Sequence, residues 1–160
     1  MTTTIQAILE KISNDQATFD WSQLLTDILS AFDCSTGTIH TLDHSTNLLH
    51  LKAYEGIPEF LLPKMTVIPV GKGMAGVAAE RRQPVQICNL QTDESGVARP
   101  SARDTKVEGS MAAPMMLDGE LYGTLGIAKS IPYDFSDEET DALMEIGKAL
   151  GRKLKNQAAN

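Results

Sequence analysis

The sequence predicts an α+β fold, and three observations carry that expectation. Amphipathic helical periodicity stands at both ends of the chain, and two hairpin patterns stand in the middle. Between the hairpins, glycine and proline break the chain into short helices and strands. Helices bracketing an antiparallel sheet are the arrangement that lets both kinds of element bury an apolar face.

Taken in order, Ile5, Ile8, Leu9 and Ile12 recur at the i, i+3, i+4, i+7 spacing of one helix face, so residues 1–15 read as an N-terminal helix. Trp21, Leu24, Leu25, Ile28, Leu29 and Phe32 repeat the pattern more strongly, with Asp20 at the N-cap and Gln23 placed to reach back. Residues 36–42 and 48–54 flank the turn-rich run Asp43, His44, Ser45, Thr46, Asn47 and form the first hairpin. Residues 58–65 and 72–82 read as short helices, and 85–88 as a strand. The polar segment 91–105, broken by Gly96 and Pro100, reads as a loop, and loops of that length are more often functional than idle. Residues 109–117 and 120–129 flank Asp118-Gly119, a two-residue turn signal, and give the second hairpin. Ser136 and Glu139 form a capping box that opens a last helix expected to reach Lys155. Its stripe is Leu143, Ile146, Leu150 and Leu154, with Gly147 and Gly151 four apart, a spacing that admits a second backbone.

Side-chain alternation assigns the strand faces. In the first hairpin Ile39, Leu49, Leu51 and Ala53 share one face, and His40, His50, Lys52 and Tyr54 the other. In the second, Ala112, Leu121, Leu125 and Ile127 share a face opposite Met111, Met115 and Tyr122. Being apolar on both faces, the second hairpin belongs in the middle of the sheet, and Pro114 fits there only at a bulge.

With 160 residues and 42% hydrophobic content the chain supports one core, read as a single domain over 1–160 with its centre in 21–155. A net charge of −7 gives no footprint for nucleic acid or for an anionic membrane. Cys34 and Cys88 match no zinc or disulfide spacing, and His40 with His50 is an incomplete ligand set, so no metal is expected. The bland expectation for those histidines is a solvated sheet face. Free thiols, with no spanning segment or signal pattern, point to a cytoplasmic protein. Gly71-Lys72-Gly73 reads as a turn before a helix that packs through Ala75, Ala78 and Ala79.

The two leading helices, GKGMAGVAAERRQPVQICNL, the long loop, the hairpin ending GTLGIAKS and the closing helix after DFSDEE together resemble a GAF domain over roughly residues 21–155. The resemblance implies an α/β/α sandwich, GAF-like and PAS-like. Its terminal helices lie on one sheet face and commonly pair between subunits, and short helices and loops cover a pocket on the other. It further implies that Tyr54, Phe60, Met74, Met111, Met115 and Tyr122 line the pocket, with Arg99 or Arg103 meeting an anionic group of an unidentified ligand. Of the pattern seen in cyclic-nucleotide-binding members, Lys129 and Phe135 stand and the rest does not, and a Lys129 to Glu139 ion pair is expected to maintain the fold. Bilin-binding members carry a cysteine where residues 91–107 have none. GKGMAG also resembles the motif of free methionine-(R)-sulfoxide reductases, but Ala75 replaces its cysteine and the loop 89–109 carries no other.

No catalytic residue or cofactor is therefore assigned. The expected function is a non-catalytic, small-molecule-sensing regulatory domain that signals through a homodimer of its helices. The alternatives are a ligand-free dimerisation scaffold and a sulfoxide-reductase-like enzyme lacking the usual cysteines.

Overall fold

Asp20 accepts the Gln23 N–H at 3.1 Å and starts helix α2 (Trp21–Phe32), which ends where Asp33 turns left-handed and the Cys34 N–H returns to the Leu29 carbonyl at 2.9 Å. Gln23 does not close a capping box; its amide donates to Asp27 one turn on. The computed structural model describes residues 2–14, 20–93, 95, 97 and 106–159. Helix α1 spans Thr2–Ser13, α3 Gly73–Arg81 and α4 Asp137–Ala159, and a 3₁₀ helix spans Glu59–Lys64. Strands β1 (Thr36–Asp43), β2 (Leu48–Glu55), β3 (Val67–Pro69), β4 (Val85–Ile87), β5 (Ser110–Leu117) and β6 (Glu120–Ala128) form one antiparallel sheet in the order β3-β2-β1-β6-β5-β4. The three-residue β3, too short to show alternation, extends the sheet beyond what the sequence pattern indicated.

Helices α2 and α4 cover one face of the sheet, with α1 packed against both of them, and α3 with the 3₁₀ helix covers the other. The capping box at α4 is reciprocal: the Glu139 N–H donates to Ser136 Oγ at 3.1 Å and the Ser136 N–H to Glu139 at 2.9 Å. The apolar stripes of α1 and α4 are spent within one chain. Leu143, Ile146 and Leu150 are fully buried in the same core as Ile5, Ile8 and Ile12. Gly147 likewise serves the sheet: a Cβ there would stand 3.1 Å from the Pro114 carbonyl oxygen and 3.3 Å from Met115 Cα. The spacing that suggested a partner's backbone is explained by close approach of α4 to β5.

Two bulges reset the strand faces. Between Ile39↔Ala53 and His40↔Leu51, β1 advances one residue while β2 goes back two, which leaves Lys52 as the extra residue. His40 is therefore opposite Leu51, and His50 is opposite Thr41. Between Pro114↔Thr124 and Met116↔Leu121, β5 advances two residues while β6 goes back three. Pro114 sits at this shift and past the end of β4, where proline is tolerated. An extra residue inverts every later side chain, so Tyr122 joins Leu125 on the α4 face, and Leu121 turns to the α3 face with Leu49 and Ile68. Met111, Ala113, Met115 and Ile127 belong to the α4 face as well.

Candidate functional site

Gly71 (φ +97°) and Gly73 (φ +69°) turn the chain from β3 into α3 through backbone angles open to glycine at little cost. Lys72 stands at the N-cap with no side-chain capping bond. The helix lies flat because it is built of small residues. A Cβ at Gly76 would meet the Pro69 carbonyl oxygen at 2.6 Å, and Ala78 packs against Val85 and Ala112. Between this helix, the 3₁₀ helix and the sheet remains a cavity of about 140 Å³. Thr36, Thr38 and His40 of β1, Ser110 and Ala112 of β5, and Gly126 of β6 form its floor. Ile57, Met65, Ile68, Met74, Leu90 and Val107 wall it, with Lys64 and Lys72 at the exposed rim. A mainly apolar lining with a few fixed polar groups is the usual make-up of a small-molecule site.

His40 is its most constrained polar group, 2% exposed. Nε2 lies 2.9 Å from the Met65 carbonyl oxygen, which can only accept, so the proton is on Nε2. Burial pushes the pKa of His40 down, the Met65 hydrogen bond opposes that, and nearby His50 adds to it; the net shift is downward. The neutral ring then carries a bare lone pair on Nδ1, which is buried without a partner among the described residues. His40 is thus a core residue, where a solvated one was expected, and the bulge that moves His50 opposite Thr41 breaks up the histidine pair. Among the described residues no cluster of three or more His, Cys, Asp or Glu side chains is arranged to hold a metal ion.

Of the residues expected at the pocket, Met74 is in the wall, its sulfur accepting the Ser110 hydroxyl at 3.4 Å. Met111 borders the cavity, but its sulfur turns to α4 and accepts the Thr140 hydroxyl at 3.5 Å. Met115 and Tyr122 share a face with Met111 as expected, but it is the α4 face and not the cavity face, and Tyr122 meets the His44 ring edge-on at 5.8 Å. Tyr54 and Phe60 are 48% and 69% exposed and are not among the residues that line the cavity, although Tyr54 pairs across the strands with the floor residue Thr38. Arg99 and Arg103 lie outside the described residues. Thr36, Thr38 and Ser110 are floor residues that alternation alone did not single out; they could have been found by following the parity of His40 and Ala112 along their strands.

Lys129 and Glu139 do not form the expected ion pair. Lys129 is buried and donates to the carbonyls of Phe32 at 2.7 Å and Asp33 at 2.9 Å, beneath the Tyr133 ring. Glu139 instead accepts the Tyr133 hydroxyl at 2.8 Å. Burial alone would raise the Glu139 carboxyl, but the bonds from Ser136 and Tyr133 and the charge of Lys129 outweigh it and hold it below its usual range.

A family model described as GAF domain matches residues 20–154. Among solved structures, the GAF domain of an Acinetobacter phosphoenolpyruvate-protein phosphotransferase is 18% identical, with 99% of this chain and 94% of that one covered and a TM-score of 0.80. The corresponding GAF domain from Coxiella burnetii is 20% identical, covering 98% and 96%, with a TM-score of 0.78. A free methionine-R-sulfoxide reductase from Neisseria meningitidis, solved with its substrate, is 18% identical, covering 97% and 89%, with a TM-score of 0.77. At these identities the likeness carries the fold alone, and it spans GAF domains of phosphotransferases and a sulfoxide reductase.

Proposed function

The chain belongs to the GAF domain family, and from that premise we propose that it is a non-catalytic regulatory domain that senses a small molecule in the cavity beneath α3. The observation that carries this reading is the cavity itself, a mainly apolar space that encloses a buried histidine with an unused acceptor. The cavity holds about 140 Å³ and opens to solvent at the Lys64 and Lys72 rim. An apolar cavity of about 150 Å³ accommodates a benzene ring, so the fit favours a compact ligand over a nucleotide or a tetrapyrrole. The floor strands β1 and β6 carry α2 and α4 on their other face, a rigid route by which occupancy can bias the helical layer. The outer groove of that layer, where Leu9 and Ala149 sit among Gln6, Glu10, Lys148 and Arg152, is the surface through which a homodimer would read that bias.

Native mass spectrometry of freshly purified protein, compared with the denatured mass, tests the proposal together with a thermal-shift screen of small metabolites. The expected result is a retained small mass, or a hit that adds about 2.7 kcal/mol at a hundred times its Kd. An empty protein that no compound stabilises would favour the ligand-free scaffold.

A further inference from the structure

The cavity beneath α3 carries charge of one sign. Lys64 and Lys72 stand at its exposed rim, and no Asp or Glu is among the described residues that line it. The chain as a whole leans the other way, with 21 acids to 14 bases and a net charge of −7. Three other grooves carry both signs, with Glu80 and Arg82 in one, Glu145 and Lys148 in the next, and Asp93 and Arg81 in the last. A Cβ at Gly71 would meet the Glu80 carboxylate at 2.9 Å, yet Glu80 lines the first of those grooves and not the cavity. Lys72 forms no ion pair among the described residues, so its charge is not spent inside the fold.

The backbone beside Lys72 has the same polarity. Gly73, Met74 and Ala75, the first turn of α3, also line the cavity, and no side chain caps the helix there. The first N–H groups of a helix have no carbonyl within it and carry the positive end of its dipole. Behind this positive mouth the space is apolar, walled by Ile68, Leu90 and Val107. Gly126 keeps its floor low, since a Cβ there would stand 2.9 Å from Thr38 Oγ1. A cleft with apolar walls and one sign of charge concentrates the field at its mouth. Resting on the ligand-sensing role proposed above, we propose that the cavity takes a compact apolar molecule with one carboxylate, its apolar body over the floor and its carboxylate at the Lys64 and Lys72 rim. A neutral analogue fills the same space and gains nothing from the two cations. An amino acid brings an ammonium for which the described lining holds no acid.

Benzoate and benzamide decide the matter, since they share shape and differ in charge. The ionised carboxylate gives up more hydration than the amide, so a cavity without cationic recognition prefers benzamide. Kd values for both are read at low ionic strength from NMR titration of the Ala112 and Gly126 amides on the cavity floor. The wild type is compared with Lys72→Gln, a change at an exposed position that leaves the fold intact. The expected result is benzoate binding roughly five-fold more tightly than benzamide in the wild type, with that preference cut to about half in Lys72→Gln and the benzamide Kd unchanged. Equal or tighter benzamide binding, or a benzoate preference untouched by Lys72→Gln, overturns the carboxylate assignment and leaves the cavity as a general apolar site. If neither compound shifts those amides, the cavity itself fails as a ligand site, and both proposals fall.

Discussion

Lys129 donates to the carbonyl oxygen of Phe32 at 2.7 Å, so a cation from the end of the sheet closes the C-terminus of α2. The last carbonyls of a helix have no partner within it and carry the negative end of its dipole, and Lys129 satisfies two of them. The Tyr133 ring, 4.5 Å from the ammonium, shields it from water. Replacing Lys129 by Met keeps the hydrocarbon stem and strands the carbonyls of Phe32 and Asp33. The expected loss is about 3 kcal/mol, or roughly 6–12 °C in Tm for a chain of this size. Urea and thermal unfolding of Lys129→Met measure it, and a variant as stable as the wild type would show that water replaces the ammonium freely.

The sequence made some parts of this fold legible and hid others for identifiable reasons. A capping box and a tight turn are local chemistry, so Ser136 with Glu139 and the turn at Asp118-Gly119 were visible as written. The register between strands is not local. Lys52 carries no mark of being a bulge residue, yet it parts His50 from His40, and the burial of His40 comes from the distant segment at Met65 that covers its face of β1. The same limit applied to Leu125 and Ile127, which lie with Met111 and Met115 and not with Ala112 because of the shift at Pro114, whereas Tyr122 keeps its expected company with Met111 and Met115. Alternation assumes an unbroken pleat, and each bulge changed which residues of neighbouring strands share a face. The glycines of α4 were recognised as a site of close approach, but the sequence could not say that the neighbour is β5 of the same chain.

That placement changes what a substitution on α4 reports. Leu150 is fully buried in the core shared with α1 and the sheet, so Leu150→Lys should unfold the chain whether or not a dimer forms. Ala149 borders the outer groove and is only partly buried, so Ala149→Glu tests association with the fold retained. Circular dichroism should show Leu150→Lys unfolded and Ala149→Glu folded. Light scattering on dilution should show wild-type dimers and Ala149→Glu monomers; a wild-type monomer at high micromolar concentration would remove the dimer from the proposal.

Sulfoxide reduction by a GAF fold needs a thiolate nucleophile at the pocket and a second thiol to resolve it. Ala75 occupies the cavity rim where the resemblance to that motif places a cysteine. Cys34 is half-buried beside Asp33, and burial pushes its thiol up to about 11, the charge of Lys129 notwithstanding, so almost none of it is thiolate at neutral pH. Cys88 is exposed at the end of β4. Thioredoxin-coupled consumption of free methionine-(R)-sulfoxide is therefore expected to match that of a Cys88→Ala control. Turnover above that control would return the chain to the enzymes of the family.

The buried neutral state of His40 makes stability fall on mild acidification. The ordinary pKa of the side chain is 6.5, and in the folded protein it is lowered, chiefly by burial. Below 6.5 the unfolded chain binds a proton that the folded chain resists, so acid favours unfolding. The His40 contribution is complete above 6.5 and is lost progressively until the pH passes the lowered folded value. Glu139 also has a lowered pKa and destabilises in the same direction, but its ordinary value of 4.5 places its loss at more acidic pH. Urea midpoints at pH 7.5 and 5.5 therefore isolate the histidine. His40→Gln keeps an N–H to offer the Met65 carbonyl and cannot titrate, so it should be less stable than the wild type at pH 7.5 and show a smaller drop between the two pH values. An equal drop in both proteins would show that the acid sensitivity does not come from His40.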